Sequence, residues 1–255
     1  MHIARKRFGQ NFLQDAQYIR ACIDAIRPQP AETLVEIGPG LGALTRPLLA
    51  QVPHLHVVEI DRDLIARFQK TYPPSQLTVH AGDALEFDFA ALGHDLRIVG
   101  NLPYNISTPL LFHLAQFAAH IRDMHFMLQK EVVERMAAAP SSSAYGRLSV
   151  MLQYRFQILP LFDVPGSAFQ PAPKVTSSFV RMLPLHPLPH IAQDTTLFAE
   201  IVSAAFAMRR KTLRNTLKAK LTEQDFQTLG IDSGLRAENL GVADFVRIAN
   251  HLHTA

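Results

Sequence analysis

The sequence predicts an α/β fold in which a doubly wound sheet is followed by a smaller helical domain. Short apolar strands alternate with segments of helical period over residues 1–184. A glycine-rich turn, Gly38-Pro39-Gly40-Leu41-Gly42, joins the first of these strands to a helix. A proline-dense stretch, Leu183–His190, then marks a boundary, and the pattern beyond it is helical throughout. We therefore expect one domain at residues 1–184 and a helical domain at residues 185–255.

The composition is that of a globular protein rather than a disordered or membrane-bound one. The chain has 255 residues, of which 48% are hydrophobic, enough to form a full core. Its single cysteine, Cys22, excludes an intrachain disulfide and a thiolate metal cluster. No apolar run is long enough to cross a membrane, and no secretory signal follows the basic N-terminus. We therefore expect a cytoplasmic protein without membrane attachment. We also expect a monomer, because no apolar face is left over, and the spacing of the histidines predicts no metal site.

The N-terminal segment, Arg5–Leu13, combines basic, aromatic, glycine and amide residues without a single period. We interpret it as a basic arm rather than a strand. Its large apolar side chains, Phe8, Phe12 and Leu13, argue against an unattached tail. Apolar residues at helical spacing from Ile19 to Ile26 predict a helix directly after the arm.

The glycine-rich turn follows the short strand Leu34–Ile37 and leads into a helix. A turn of this composition lets a ligand approach the backbone, and the start of a helix offers unpaired N–H groups. Glu59 lies in the next predicted strand, Val57–Asp61, about 20 residues after the glycines, where an acid typically holds the ribose hydroxyls of a nucleoside cofactor. Gly38, Gly40 and Glu59 therefore predict a nucleoside-cofactor site.

Two features favour S-adenosylmethionine over a nicotinamide dinucleotide as this cofactor. The glycines are spaced G-x-G-x-G instead of the dinucleotide pattern G-x-G-x-x-G. An acid, Glu36, also lies within the strand directly before them, where it would repel a pyrophosphate but tolerate a sulfonium and an ammonium group. The loop taken alone leaves a nicotinamide cofactor open.

The next two strands also end in residues suited to ligand binding. Leu77–His80 leads to Asp83, whose carboxylate can accept from the cofactor's adenine amino group or cap a short helix. Leu96–Val99 leads to Asn101-Leu102-Pro103-Tyr104. Ligands of open α/β sheets bind at the carboxyl ends of the strands, so we expect these residues and Glu59 to surround one site.

The turn Asn101-Leu102-Pro103-Tyr104 has the groups needed to hold a planar amino group. Pro103 favours an extended Leu102, so the Leu102 carbonyl and the Asn101 side-chain oxygen can accept hydrogen bonds. Tyr104 supplies a flat face for stacking, and the set suits the exocyclic nitrogen of adenine. We expect Phe169, in a proline-rich loop, to form a second stacking wall. The alternatives are an ordinary turn after a strand and a phenylalanine of the core.

The remaining segments complete the two domains. Helices are predicted from Thr108-Pro109, over Lys130–Met136, over Leu148–Tyr154 and from Asp194, Thr222 and Leu240, and strands over Met124–Gln129 and Ser178–Leu183. In the helical domain, six basic residues and no acid lie between Arg209 and Lys220. A helix over this segment would place Arg210, Arg214 and Lys218 on one face, which favours contacts with phosphates. The alternative is a solvated charged face.

Taken together, these motifs resemble the small-subunit ribosomal RNA adenine N6-dimethyltransferases of bacteria. The resemblance covers the whole chain and is carried by Gln10–Leu13, Glu36–Gly42, Glu59-Ile60-Asp61, Gly82-Asp83-Ala84, Asn101–Ser107, Phe169–Val175 and Phe206–Lys211. It implies a Rossmann-like methyltransferase sheet and S-adenosylmethionine as cofactor. It also implies two methyl transfers to each of two adjacent adenosines near the 3′ end of 16S rRNA, in an assembling small subunit.

The resemblance also assigns roles to residues. It implies that the cofactor is lined by Asn11, Leu13, Gly38, Glu59, Asp83 and Asn101, to which the glycine-rich turn adds Gly40. We expect the target base to be held by Asn101, Leu102, Tyr104 and Phe169. We expect the RNA to be bound by Arg5, Lys6, Arg7, Arg147, Arg209, Arg210, Lys211, Arg214 and Lys218.

Three other functions share parts of this pattern. A large-subunit rRNA adenine methyltransferase of the resistance type would have the same sheet and the same turn, but Phe206–Lys211 favours the small subunit. An RNA-binding assembly factor or a transcription factor on this fold would not need Glu59, Asp83 and Asn101 together. A nicotinamide oxidoreductase would be distinguished by the cofactor that it binds.

Overall fold

A computed structural model describes residues 10–254, so Arg5, Lys6 and Arg7 lie outside the described residues. The chain divides into two compact units. The first comprises residues up to Val133 and Ile158–Pro184, and the second comprises Glu134–Gln157 and the residues from Leu185 onward. The division after Pro184 coincides with the expected boundary, whereas Glu134–Gln157 falls in the second unit and not in the first domain. The reason is that its apolar side chains, including Tyr154, belong to the core of the second unit.

Strands and helices alternate over residues 12–129. In the described residues the strands are β1 Phe12–Leu13, β2 Leu34–Ile37, β3 Leu55–Glu59, β4 Leu77–Ala81, β5 Leu96–Asn101, β6 Ile121–Gln129, β7 Phe156–Val164, β8 Phe169–Gln170 and β9 Ser177–Pro184. The α-helices are α1 Ala16–Ile26, α2 Thr45–Leu49, α3 Arg62–Thr71, α4 Ser107–Gln116, α5 Lys130–Ala137, α6 Arg147–Gln153, α7 Thr195–Ala205, α8 Leu213–Thr216, α9 Glu223–Leu229 and α10 Val242–Thr254.

The main sheet has seven strands in the order β4-β3-β2-β5-β6-β9-β7. The pairs from β4 to β6 are parallel, and β9 runs antiparallel to β6. From β2 the chain builds outward through β3 and β4, and it then returns to the other side of β2 with β5. This reversal leaves a crevice beyond the carboxyl ends of β2 and β5, where open α/β sheets bind ligands. The doubly wound fold predicted from the sequence is confirmed.

The centre of the sheet is buried on both faces. All four residues of β2 are buried, and so are Ile98 and Val99 of β5, as expected for parallel strands covered by helices on both sides. At Gly100, a Cβ atom would lie 2.6 Å from the carbonyl oxygen of Ile37. Only glycine therefore lets the end of β5 approach β2 so closely, directly before the turn at Asn101.

The segment predicted to be an arm ends in a short strand. Phe12 and Leu13 pair antiparallel with Gln170 and Phe169 in a separate two-stranded sheet. The prediction of an arm without a strand is wrong at these two residues. A two-residue strand has no measurable period, and its partner lies far away in sequence, so the pattern could not reveal it. The strand β7 was not predicted from the sequence either. Pro160 lies in its middle and its buried residues do not alternate with exposed ones, so it lacks the period of a strand.

The second unit is helical around its own core. Asp194 caps α7 by accepting from the backbone N–H groups of Thr196 and Leu197, and Thr222 forms a capping box with Asp225 at the start of α9. These helix starts agree with the sequence prediction. The start predicted at Thr108 does not, because α4 begins one residue earlier, at Ser107, and has no side-chain cap.

The basic segment of the second unit does not form the expected helix. Only Leu213–Thr216 is helical there. Thr212 is extended and forms an isolated bridge with Arg236, which interrupts any helix through the segment. The prediction that Arg210, Arg214 and Lys218 share one helical face is therefore wrong, although all three side chains are exposed.

The described residues contain neither a candidate membrane-spanning helix nor a candidate metal-binding cluster. Between residues 10 and 254, no helix combines the length and the apolar character needed to cross a bilayer. Within the same range, no group of three or more histidine, cysteine and acidic side chains is arranged to hold a metal ion.

Candidate active site

The first unit contains a cavity of about 290 Å³ at the carboxyl ends of β2, β3, β4 and β5. It lies where the reversal of strand order predicts a ligand site. All seven residues expected around the cofactor line it: Asn11, Leu13, Gly38, Gly40, Glu59, Asp83 and Asn101. Leu102 and Tyr104 line it too. The sequence therefore identified residues that the fold brings together from five separate segments.

The glycine-rich turn adopts a conformation that favours glycine. Gly38, Gly40 and Gly42 have φ angles of 62°, 56° and 88°, in the left-handed region. The turn is held against the neighbouring strand because Gly38 donates its N–H to the carbonyl of Val58 at 2.9 Å. Gly38 and Gly40 line the cavity, and neither has a side chain that would keep a ligand from the backbone.

Glu59 is a buried carboxylate whose orientation is fixed by the backbone around it. Its Oε1 accepts hydrogen bonds from the N–H groups of Ile60 at 2.9 Å and Asp61 at 2.8 Å. Burial raises the pKa of Glu59, while these N–H groups and that of Gly40 oppose the rise. These hydrogen bonds fix the orientation of the Glu59 side chain at the end of β3, where the sequence predicts a group that binds ribose hydroxyls.

Glu36 is buried more deeply, in the middle of the sheet below the glycine-rich turn. Thr45 donates its hydroxyl to Oε2 of Glu36 at 2.6 Å, and the side chain also lines the cavity. Burial raises the pKa of Glu36 to about 8, opposed by the Thr45 hydrogen bond and reinforced by the charge of Glu59. Near pH 7 this carboxyl group is therefore largely protonated, which the sequence pattern did not reveal.

Asp83 does not cap a short helix, because the residues that follow it form a turn. Its Oδ1 accepts from the backbone N–H of Leu85 at 2.9 Å, a local turn contact of the capping kind. The side chain nevertheless lines the cavity at the end of β4. The local contact orients the carboxylate and leaves it within reach of a ligand.

The side-chain amide of Asn101 is oriented by the N-terminal segment. Its Nδ2 donates to the backbone carbonyl of Asn11 at 2.8 Å. The acceptor oxygen Oδ1 is therefore on the opposite side of the carboxamide. The neighbouring Leu102 is buried, and its N–H donates to the carbonyl of Met127 in β6 at 3.2 Å, which ties the turn to the sheet.

Tyr104 is half-buried at the wall of the cavity. Its hydroxyl shares a hydrogen bond of 2.6 Å with the hydroxyl of Ser177, the first residue of β9. Burial raises the pKa of Tyr104, opposed by this hydrogen bond, so the phenol is neutral at physiological pH. Ser177 was not predicted from the sequence as a residue of this site. It lies 73 residues from Tyr104, and no motif marks it.

Phe169 does not form the second stacking wall predicted from the sequence. It is only 3% exposed and is not among the residues that line the cavity. It packs in the core of the first unit, in the same cluster as Leu13, its strand partner across the β1–β8 pair. A side chain so covered offers no face to a base, so the alternative, a phenylalanine of the core, is correct.

The basic residues expected to bind RNA are exposed in the second unit. They are Arg147, Arg209, Arg210, Lys211, Arg214 and Lys218. Arg209 donates to the carbonyl of Ser143 at 2.7 Å and lies 3.9 Å from the carboxylate of Glu238. The fold therefore brings an acid near a segment that has none in sequence, and Glu238 lowers the net positive charge of the surface around Arg209.

Several known proteins that this chain resembles are described as ribosomal RNA methyltransferases. A family model described as "Ribosomal RNA adenine dimethylase" matches residues 1–254. "Ribosomal RNA small subunit methyltransferase A" of Aromatoleum aromaticum is 66% identical over 251 residues, covering 98% of this chain and 95% of the relative. The protein of the same name from Thiobacillus denitrificans is 64% identical over 254 residues, covering 100% of both chains.

Solved structures give the same picture of the fold. A dimethyladenosine transferase from Plasmodium falciparum aligns with a TM-score of 0.76 at 25% identity, covering 93% of this chain and 95% of that one. The 23S rRNA methyltransferase ErmE aligns with a TM-score of 0.74 at 21% identity, covering 95% of this chain and 100% of that one. At that identity the second match supports the fold alone.

Proposed function

The chain belongs to the ribosomal RNA adenine dimethylase family, and we propose that it methylates N6 of two adjacent adenosines near the 3′ end of 16S rRNA. The methyl donor is S-adenosylmethionine and the product is N6,N6-dimethyladenosine. The substrate is a small ribosomal subunit in assembly, so the protein acts in the cytoplasm. The curated relatives support the choice of subunit, because their shared name specifies the small one.

One observation carries the proposal: the Asn101–Tyr104 turn and three carboxyl groups line the same cavity. The acids are Glu36, Glu59 and Asp83, and the described residues that line the cavity include no lysine, arginine or histidine. A dinucleotide pyrophosphate would meet only negative or neutral groups there. A cofactor with a sulfonium and an ammonium group is attracted to the charged carboxylates of this set and is not repelled by Glu36, which is largely neutral near pH 7. The donor set therefore fits S-adenosylmethionine and disfavours a nicotinamide dinucleotide.

Each of these residues would bind a different part of the cofactor, according to its own chemistry. Glu59 would accept hydrogen bonds from the ribose hydroxyls, and Asp83 from the adenine amino group. The backbone of Gly38 and Gly40 would lie along the remainder of the ligand, and Asn11 and Leu13 would close the cavity from the N-terminal side. When bound, the cofactor supplies an activated methyl group.

The acceptor turn prepares the adenine for attack. The N6 lone pair is delocalised into the ring, and the target base must first leave its stack, which costs a few kcal/mol. Stacking on Tyr104 offsets this cost by about 1–3 kcal/mol. Oδ1 of Asn101 and the carbonyl of Leu102 accept from the N6 hydrogens, so they aim the lone pair and stabilise the positive charge that develops on nitrogen. Since the methyl donor is already activated, no strong general base is required.

The proposed RNA contacts come from the exposed basic residues. Arg210, Lys211, Arg214 and Lys218 project from the irregular segment around α8. Arginine and lysine side chains of this kind neutralise phosphates and give binding that weakens with salt. This surface would position the RNA, while the turn at Asn101 selects the base.

The experiment that tests the function is transfer of labelled methyl groups from S-adenosylmethionine to under-methylated small subunits. Large subunits serve as the control, and the nucleosides are analysed after digestion. We expect N6,N6-dimethyladenosine in the small-subunit RNA alone. Methylation of the large subunit would instead support a resistance-type enzyme, and cofactor binding without transfer to either RNA would contradict the proposal.

A further inference from the structure

Tyr104 is held by one hydrogen bond at its backbone and by another at the far end of its ring. At the backbone end, Ser107 donates its hydroxyl to the carbonyl of Tyr104 at 3.1 Å. At the far end of the ring, the phenol is hydrogen-bonded to Ser177 at 2.6 Å. The ring therefore cannot swing about its side-chain torsions without breaking the contact with Ser177.

Ser177 itself is well placed to act as a fixed point. It is fully buried, at the start of β9, and its Cα is paired with that of Gln129 at the end of β6. Both strands belong to the main sheet. The hydroxyl of Ser177 consequently has the rigidity of the sheet, whereas Tyr104 belongs to a turn.

Tyr104 also differs from Asn101 in lying beyond the strands of the sheet. Asn101 lies at the end of β5 and Leu102 is bonded to β6, but the Tyr104 side chain leaves the turn as a long, half-buried group at the cavity wall. A ring that must receive an adenine gains most from being held in place beforehand, because misplacement by about 1 Å can cost on the order of 100-fold in rate.

We propose that Ser177 is a positioning residue that fixes the face of Tyr104 on which the target adenine stacks. The role rests on the function proposed above and adds a residue to it. It acts through the phenol of Tyr104, and Ser177 itself touches neither the base nor the cofactor.

The two methyl transfers should depend on Ser177 to different degrees. Before the first transfer, N6 carries two hydrogens that Asn101 and Leu102 can both bind. After it, one hydrogen remains, so the base is held by one hydrogen bond and by stacking on Tyr104. Loss of the Ser177 contact should therefore slow the second transfer more than the first and cause N6-monomethyladenosine to accumulate.

The test compares Ser177→Ala and Tyr104→Phe, which remove the hydrogen bond from either side and keep the aromatic ring. Ser178→Ala is the matched control. Ser178 is the next residue of β9, is also buried, and bonds instead to the carbonyl of Phe162 at 3.4 Å. Rates of both transfers are measured in single turnovers on under-methylated small subunits, together with calorimetric affinity for S-adenosylhomocysteine.

We expect Ser177→Ala and Tyr104→Phe each to slow the second transfer by roughly tenfold, without a change in cofactor affinity. The double variant should be no slower than either single one, because the two changes remove the same hydrogen bond. Ser178→Ala should methylate like the wild type. Additive effects, or equal rates in Ser177→Ala and Ser178→Ala, would overturn the positioning role.

A second measurement does not depend on turnover. The chain has five tyrosines, so ring signals in a ¹³C-tyrosine NMR spectrum can be assigned with Tyr104→Phe. We expect the Tyr104 ring signal to shift and broaden in Ser177→Ala but not in Ser178→Ala. An unchanged signal in Ser177→Ala would contradict the proposal that Ser177 positions the ring. If the wild type methylated neither subunit, the proposed function would fail and the positioning role with it, whatever the NMR result.

Discussion

The side-chain nitrogen of Asn101 donates to the backbone carbonyl of Asn11 at 2.8 Å, across 90 residues of sequence. Asn11 directly precedes β1, which is anchored by its pairing with β8. The N-terminal segment therefore does more than close the cavity, because it decides which end of the Asn101 carboxamide can accept a hydrogen bond from a substrate. This contact couples the Asn101–Tyr104 turn, which we propose binds the base, to a strand pair that was not predicted from the sequence.

Replacing Asn101 with aspartate tests this coupling. Asn101→Asp keeps an acceptor oxygen but cannot donate to the Asn11 carbonyl, and it places a negative charge beside that carbonyl. We expect the methylation rate at saturating substrate to fall by about 100-fold or more, the range for loss of one preorganised hydrogen-bonding group. The measurement is a single-turnover rate on under-methylated small subunits. A rate within threefold of the wild type, a margin of about 0.7 kcal/mol, would show that the donor end has no role.

Glu36 predicts an unusual dependence of stability on pH. Burial raises its folded-state pKa from 4.5 to about 8, so the folded protein holds a proton that the unfolded chain releases. The stabilisation is fully present below about pH 4.5 and is lost as pH rises through 8, by at most roughly 4–5 kcal/mol for this shift. In Glu36→Gln the side chain stays neutral, so the decline between these pH values should be shallower than in the wild type.

Urea unfolding of the cofactor-free proteins at several pH values measures this difference. The comparison of slopes cancels groups that titrate equally in both proteins. Parallel profiles for the wild type and Glu36→Gln would contradict a protonated Glu36.

Glu59 should contribute to cofactor affinity and little to folding. The amide oxygen of Glu59→Gln can still accept from Ile60 and Asp61, but it has no charge to offer the ribose hydroxyls. We expect the Kd for S-adenosylhomocysteine to rise about tenfold to a hundredfold, as for loss of a charge-assisted hydrogen bond. Titration calorimetry with Glu131→Gln, an exposed acid of α5, provides the control. Equal affinities in the three proteins would remove Glu59 from the site.

The basic segment predicts a change in the salt dependence of RNA binding. A variant with Arg210, Lys211 and Arg214 changed to alanine should lose about two to three units of the log–log salt slope, at about 0.7–0.9 per phosphate contact. The matched control changes three exposed bases of α3, Arg62, Arg67 and Lys70. Filter binding at several salt concentrations gives both slopes, and an unchanged slope in the first variant would refute this RNA surface.

Most of the residues that line the cavity could be predicted because each is marked by its own position in the sequence. Gly38, Glu59, Asp83 and Asn101 each follow a short apolar strand, and parallel strands place their carboxyl ends at one edge of a sheet. The chemistry of each residue could therefore be interpreted from its position alone. No long-range contact had to be known.

The errors arose where long-range contacts decide the structure. Phe169 was expected to stack on a base, but its pairing with Leu13 buries it, and that partner lies at the other end of the first unit's sequence. The helix expected through Arg210 and Arg214 is interrupted because Thr212 pairs with Arg236. The contact of Ser177 with Tyr104 is of the same kind, since neither residue carries a local signal of the other.

The most direct test of the account is the methylation rate of Asn101→Ala. This variant removes the acceptor for N6 and leaves Glu59, Asp83 and the basic residues in place. We predict that single-turnover formation of N6,N6-dimethyladenosine on small subunits falls at least about 100-fold, while affinity for the subunit is unchanged. A variant that binds the subunit and methylates it at the wild-type rate would contradict the assignment of Asn101 and, with it, the proposed mechanism.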